Sequence, residues 1–467
     1  MKNKLNLLLV VATVASLGSA LSSCKKNADD VAINFKDNTE IKDGTVRLLN
    51  FKPEIKDKWT NIQTEFKKDT GITLEVETAS EGQYETTLRQ KISTDKAPTI
   101  FQINGPVGYG NWSDYCANLT NLPVYKKLTD TSLSVNVNGA PRAIPQTVEG
   151  YGIIYNKALT DKYFALSNKT LPAGVTKMED INSYVKLKAV VEDMQTHKSD
   201  LGIDGVFAPS GLDGSTSWRI SGHAFNMPLV GEYGNATSMP KTLEFTYNQQ
   251  YRNLIDLYVK NSTMTPGNMV SSTMGAESAA FASEKVVMIQ NGQWATNDLT
   301  AVDGAKAKAE NLRYLPLYCG LDTDLVKEET QGLCVGTEAY WSINKQASED
   351  DQSRASIFFT WLFDGNGKKY AVSDLGFSAS PYSGFKTAEF ASTDALAVQV
   401  DAWLASGKKS VPWNFTLVPN TDKQREPLVE KLKAYYNSNL ADDKWSELVS
   451  DSKSTWTNLV KQIEASE

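Results

Sequence analysis

Short apolar runs alternate along the chain with stretches of helical periodicity, and this alternation predicts the elements. Residues 45–51, TVRLLNF, form a compact apolar run expected to be a buried strand. Residues 56–69 place Trp59, Ile62, Gln63 and Phe66 at helical spacing, with Gly71 where the helix would stop. Residues 72–77, ITLEVE, alternate with the two-residue period of a strand. Within 83–93, Tyr84, Leu88 and Ile92 recur every fourth position, the stripe of an amphipathic helix. A third strand is expected in PTIFQI, 98–103. Strand–helix–strand succession of this kind implies a parallel sheet with crossover helices.

The same grammar continues to the C-terminus. Strands are expected at 149–155, 205–209, 285–290 and 312–317. Helices are expected at 178–194, 248–260, 278–283, 354–363, 368–375, 396–406, 427–437 and about 444–464. No repeat of 20–50 residues and no low-complexity tract interrupts them. A chain of 467 residues exceeds one ordinary core, so two α/β lobes are expected.

The N-terminus departs from this pattern. Met1-Lys-Asn-Lys is positive, 5–21 is apolar and small, and Leu21-Ser-Ser-Cys24 follows at once. Residues 1–23 read as a lipoprotein signal peptide, with Cys24 acylated; a plain secretory signal with an incidental cysteine is the alternative. Several acyl chains on one residue hold a protein firmly to a bilayer, where one chain binds only marginally. The polar residues of 24–43 then read as a flexible tether. No later segment has 18 consecutive apolar residues. The expected location is the extracytoplasmic side of the cell membrane.

Composition narrows the chemistry. A formal charge of −7 argues against a nucleic-acid partner, which calls for a basic face. Without a CxxC or a histidine-rich spacing, no metal or other cofactor is expected. Cys319 and Cys334 flank a charged loop, and either a disulfide or two buried thiols fits. Cys116 reads as a small buried apolar residue. The two histidines, His197 and His223, lie away from any Gly-x-Ser-x-Gly elbow, and there is no P-loop. DGNGKK at 364–369 joins two helices as a loop. A glycosidase needs two facing carboxylates, but 55 acidic residues supply a pair by chance.

Binding is better supported than catalysis, because polar and aromatic residues gather at the expected strand ends. These are Asn50, Lys52 and Glu54 after the first strand, Gln83 and Tyr84 after the second, and Asn104 after the third. Glu149 and Tyr151, Trp218, Asn291 and Trp294, Trp341, and Trp413 with Asn414 complete the set. Ligands of open α/β sheets sit at the strands' carboxyl ends. A sugar offers apolar C–H faces to aromatic rings and a rim of hydroxyls to amides and charges. With 10 Trp and 19 Tyr most rings belong to the core; the clustering at strand ends is what points to a ligand.

Five segments in order resemble the extracellular solute-binding proteins of carbohydrate ABC importers, the group that includes maltose-binding protein. They are WTNIQTEFKKDTGITLEVE (59–77), APTIFQI (97–103), IPQTVEGYGIIYNKALT (144–160), AAFASEKVVMIQNGQWA (279–295) and RASIFFTWLFDGNGKKYAVSDLGFSASP (354–381). Thr99 stands where the group usually has Asp, and Glu284 where it usually has Gly. The resemblance spans nearly all of 45–467. It implies a type II periplasmic-binding-protein-like fold, two α/β lobes joined by about three crossovers around a ligand cleft. The lobes are expected at 44–148 with 312–377, and at 149–311 with 378–467.

The resemblance also implies roles. Glu149 falls on the crossover acid that holds sugar hydroxyls, Trp294 on the stacking tryptophan of the fourth segment, and Trp413 near a late one. Asn50, Lys52 and Glu54, and Asn104, fall on loops that supply polar contacts. The implied partners are a sugar or oligosaccharide, permease subunits and, through the anchor, the membrane; the implied state is a monomer without enzymatic activity. The rival readings are a binder of another solute class (a peptide or an aminosugar-containing glycan), a surface glycoside hydrolase, and a structural surface lipoprotein.

Overall fold

A computed structural model of the chain describes residues 31–80, 82–236, 238–377, 380–385 and 387–465. The expected leader, Cys24 and the first part of the expected tether lie outside the described residues. A compact unit begins at Ala32 and carries two sheets.

Numbered in chain order, the first sheet contains β1 (Thr45–Asn50), β2 (Thr73–Thr78), β3 (Ile100–Asn104), β4 (Val135–Val137), β5 (Ala140–Pro145) and β10 (Ala339–Ile343). Their spatial order is β2-β1-β3-β10-β5-β4. β1 runs parallel to β2 and β3, while β10 is antiparallel to β3 and β5. The crossover helices are α1 (Trp59–Thr70) and α2 (Tyr84–Lys91). α1 buries the predicted stripe of Trp59, Ile62 and Phe66. Gln63, on the same stripe, instead donates its amide to the Leu74 carbonyl at 2.8 Å.

The second sheet is built on β6 (Glu149–Asn156), with β7 (Met288–Gly292) antiparallel along one edge. β9 (Gln331–Gly336) and β8 (Leu312–Leu315) follow one another along the other edge. β11 (Lys409–Val411) extends β9 in parallel. Residues 205–209, expected as a strand, contribute only bridges from Phe207 to Ser262 and Met288. The β4–β5 hairpin, β9, β10 and β11 go beyond the expected strands.

Pairing and burial place the lobe boundaries differently from expectation. Residues 312–336, assigned by resemblance to the first lobe, belong to the second, because β8 and β9 satisfy their backbones against β6. Tyr382, Phe385 and Phe390, assigned to the second lobe, pack in the first; Tyr382 stacks on Phe363 at 4.1 Å. An apolar run records that it is buried, not against which strand. The chain therefore crosses at 146–148, at 337–338 and between Phe390 and Leu396, whose side chains lie in different cores.

From Ala32 onward the expected tether is packed against the first lobe. Ala32 bridges to Asn118, and Lys36 pairs with Asp350 at 2.7 Å. Ile41 is buried, with Ile33 and Phe35 against the same core. These three apolar side chains, diluted in a polar stretch, are enough to dock it. Cys116, Cys319 and Cys334 are buried free thiols, so the disulfide alternative is not realised. Glu284 adopts φ +59°, the left-handed conformation that favours the glycine expected there. Among the described residues, no helix is long and apolar enough to cross a membrane.

Candidate functional site

The first two crossings lie side by side. Glu149 is the ladder partner of Gly336, and the Gln146 amide donates to the Ala339 carbonyl at 2.9 Å. Glu149, at the start of β6, and Glu338, in the second crossing, thus stand beside one another where the chain passes between the lobes. The loop after β1 faces them. Asn50 shapes that loop, donating to the Lys52 carbonyl at 2.6 Å and to Thr78 Oγ1 at 3.1 Å, while its Oδ1 accepts from the Lys52 amide at 3.1 Å.

The turn aims Lys52 at the crossings. Its Nζ lies 2.5 Å from Glu149 Oε1 and 4.0 Å from Glu54 Oε1. The Lys52 and Glu149 side chains are each 9% exposed. Burial would lower the lysine pKa, but Glu149, Glu54 and Glu338 outweigh it and hold Lys52 above its ordinary value. Burial, with Glu149 adding repulsion, pushes Glu338 up to about 7 against the pull of Lys52 and Arg425.

The second lobe supplies aromatic rings. A single π-helical turn over Arg219–Ala224 carries a five-residue hydrogen bond from the Phe225 amide to the Ile220 carbonyl at 3.2 Å. It lays His223 flat on Tyr151, with ring centres 3.9 Å apart and planes 7° apart. Trp218 meets His223 edge-on at 4.8 Å, Trp294 lies 5.6 Å from His223 and 6.0 Å from Trp218, and Trp413 lies 5.4 Å from Tyr151. Burial first, and the Arg219 charge second, hold His223 neutral, well below the usual histidine range.

Arg219 backs this cluster. Its guanidinium lies 4.2 Å from the Trp218 ring centre, and Nη1 donates to Thr216 Oγ1 at 3.0 Å. Thr216 in turn donates to Glu277 Oε2 at 2.9 Å, and burial raises the Glu277 carboxyl to about 7. Two bare backbones make room for rings: a Cβ on Gly292 would fall 2.1 Å from Trp294 Cη2, and one on Gly336 2.6 Å from Trp413 Cγ.

The two lobes meet over this floor. Lys52 Nζ, from the first lobe, stands 5.8 Å from the Trp294 ring centre, in the second. Helix α3 (Gly105–Trp112) touches the turn Asn414–Leu417. Trp294 is half-buried at this junction. Among the described residues, no group of three or more His, Cys, Asp and Glu side chains could hold a metal ion.

The expected residues divide into two groups. Lys52, Glu54, Glu149, Trp218, Trp294 and Trp413 converge, bordered by Asn50 and by Asn104, whose Oδ1 accepts from Gln102 at 3.0 Å. The others do not line the cleft. Tyr84 is core, its hydroxyl accepting from the Gln102 amide at 2.6 Å, while Gln83 is exposed at the start of α2. Tyr151 is sealed beneath His223, and Asn291 is fully buried with Oδ1 accepting from the Gly292 amide. Trp341, mid-strand in β10, packs among Trp59, Phe359 and Phe377. Asn414 ties its amide to the Gly234 carbonyl at 2.8 Å.

Arg219, Glu277 and Glu338 are absent from the sequence-derived set. Glu338 carries a signal only once β9 and β10 are known to belong to different sheets. Arg219 and Glu277 meet through a turn with no sequence signature.

Residues 61–398 match the family of bacterial extracellular solute-binding proteins. A multiple sugar-binding protein of Streptococcus mutans is 24% identical over 264 residues, 54% of this chain and 57% of that protein, so the match spans little more than half the relative's length. Among solved structures, the GacH receptor of Streptomyces glaucescens, determined unliganded and with acarbose, has a TM-score of 0.64 at 17% identity, covering 90% of this chain and 99% of that one. RafE in complex with raffinose has a TM-score of 0.66 at 16% identity, covering 89% and 99%; its apo form is from Streptococcus pneumoniae. These likenesses place the fold among type II periplasmic-binding-like proteins.

Proposed function

Because the chain belongs to the bacterial extracellular solute-binding proteins, we propose that it captures a carbohydrate between its lobes and delivers it to an ABC transporter permease. The observation that carries this reading is Trp294, a half-buried second-lobe indole with a first-lobe ammonium 5.8 Å from its ring. Trp294, with Trp218 and Trp413 beside it, would cover the C–H face of a sugar. Lys52, Glu54, Glu149 and Asn104 would take its hydroxyls, charged partners giving the stronger hydrogen bonds. The sugar-binding relative and the raffinose-bound neighbour support this ligand class.

Ligand contacts made from both lobes favour the closed form, and flexing at the three crossings opens it. The permease reads the closed shape. The protein acts as a monomer, held at the extracytoplasmic membrane face through lipidated Cys24. It binds and does not turn over its ligand: the Glu149 carboxylate is engaged by Lys52 and is not a spare acid. Titrating tryptophan fluorescence and radius of gyration against a carbohydrate panel tests the reading. Quenching with compaction is expected; neither response to any sugar would overturn it.

Three carboxylates around one lysine favour a second reading, a ligand carrying an amine. Calorimetry with neutral and amino-substituted sugars separates the two.

A further inference from the structure

Gln102 is wholly buried in β3, opposite Trp341 of β10. A buried amide is costly unless its donor and acceptor are both used. Here both are. Gln102 Oε1 accepts from Gln146 Nε2 at 3.1 Å, and Gln102 Nε2 donates to Asn104 Oδ1 at 3.0 Å. Its backbone amide is fixed by the Tyr84 hydroxyl at 2.6 Å. Gln146, 3% exposed, rides in the first crossing and is tied to the second through the Ala339 carbonyl.

The chain of amides has a direction. Each side chain donates to the oxygen of the next, from the crossings to the cleft, so the links polarise one another in the same sense. Asn104 ends it with Oδ1 committed, leaving Nδ2 as the group free to donate. Asn104 is half-buried at the end of β3. Beside it, a Cβ on Gly105 would meet Thr416 of the second lobe at 3.4 Å.

We propose that Gln102 is a positioning residue: it locks the Asn104 amide with its N–H groups toward the cleft, where they donate to an oxygen of the bound sugar, and it links that contact to the first crossing through Gln146. The proposal rests on the carbohydrate reading. It explains a polar side chain inside a packed sheet, and it sets Asn104 as a donor rather than an acceptor.

The test uses the full chain and calorimetry with whichever panel sugar the wild type binds. Gln102→Glu keeps the shape and still accepts from Gln146, but it turns Asn104 around, presenting Oδ1 to the ligand. Asn104→Ala removes the donor directly and sets no second carboxylate beside the one that Gln102→Glu introduces. Each is expected to weaken binding about tenfold, and the double variant no more than either alone, the signature of one coupled unit. The Asn104 side-chain NH2 resonances should shift on sugar addition in the wild type and not in Gln102→Glu. Should Gln102→Glu unfold the chain, the Asn104 variant and the wild-type Asn104 NH2 resonances carry the test. Unchanged affinity in Gln102→Glu, or losses that multiply in the double variant, overturns the inference alone. A wild-type chain that binds no panel sugar removes it together with the carbohydrate reading.

Discussion

The two lobes use their aromatic residues in opposite ways. In the first lobe Trp59, Trp341, Phe358, Phe359 and Phe363 close on one another against the sheet, and Trp341 is 1% exposed. In the second, Trp218, His223, Trp294 and Trp413 gather beyond the ends of β7 and β9, where Arg219 and the first lobe's Lys52 lie against the rings. Residue type does not separate the clusters; position along the strand does. Trp341 sits mid-strand, its neighbours on both sides already paired. Trp294 sits one turn beyond the last paired residue of β7, where the backbone leaves the sheet and bare Gly292 lets the ring fold over it. The first cluster is closed, whereas the second leaves Trp218 and Trp294 half-buried over the buried rings of His223 and Trp413.

Substitutions at each cluster can break this contrast. Trp341→Ala should leave a core cavity and cost about 3–5 kcal/mol of unfolding free energy in urea titrations. A loss below about 1 kcal/mol would mean that the first cluster is not closed. Lys52→Met strands Glu149 without its counter-ion and should cost about 3 kcal/mol, with sugar binding lost as well.

Trp294→Ala should reverse the Trp341 pattern. Carbohydrate affinity is expected to fall roughly tenfold, about 1.4 kcal/mol, with stability shifting by less than about 1 kcal/mol. A variant that binds normally but melts early would return Trp294 to the core.

The smallest effect concerns pH. Burial, with Glu149 adding repulsion, pushes the Glu338 carboxyl up to about 7 in the folded chain, above its ordinary value. The native state therefore binds more protons than the unfolded state in between, and stability falls as pH rises through that window. The Glu338 contribution is intact below the ordinary carboxyl pKa and fully lost above about 7. Glu338→Gln should flatten the decline between pH 5 and 8 by on the order of 1 kcal/mol, checked by denaturant unfolding at both values. An unaltered slope would mean that burial and the neighbouring Glu149 do not raise the Glu338 carboxyl.

Much of the fold was legible. The i, i+4 stripes of α1 and α2 and the apolar run of β1 sit where periodicity puts them. The lobe boundaries were not, because β8 reads as a strand in either lobe and only its pairing with β6 decides. The site divides in the same way. Lys52, Glu149 and Trp294 were candidates from residue type and nearness to expected strand termini, and the structure brings them together. Tyr151, Asn291 and Trp341 have the same chemistry, yet each lies within a paired stretch of strand and is covered by its neighbours, Tyr151 by the His223 ring.

The sequence by itself determined the class of architecture, the family and the kinds of side chain available for binding, since these follow from local periodicity and ordered segments. Which of those side chains meet was decided by the tertiary structure alone. Lys52 reaches Glu149 across 97 positions, Arg219 is drawn toward Glu277 through Thr216, and Gln146 reaches Asn104 through Gln102. Such pairings depend on how strands far apart in the chain are registered and on which side of each a residue emerges. Those distances exist only once the sheets have formed.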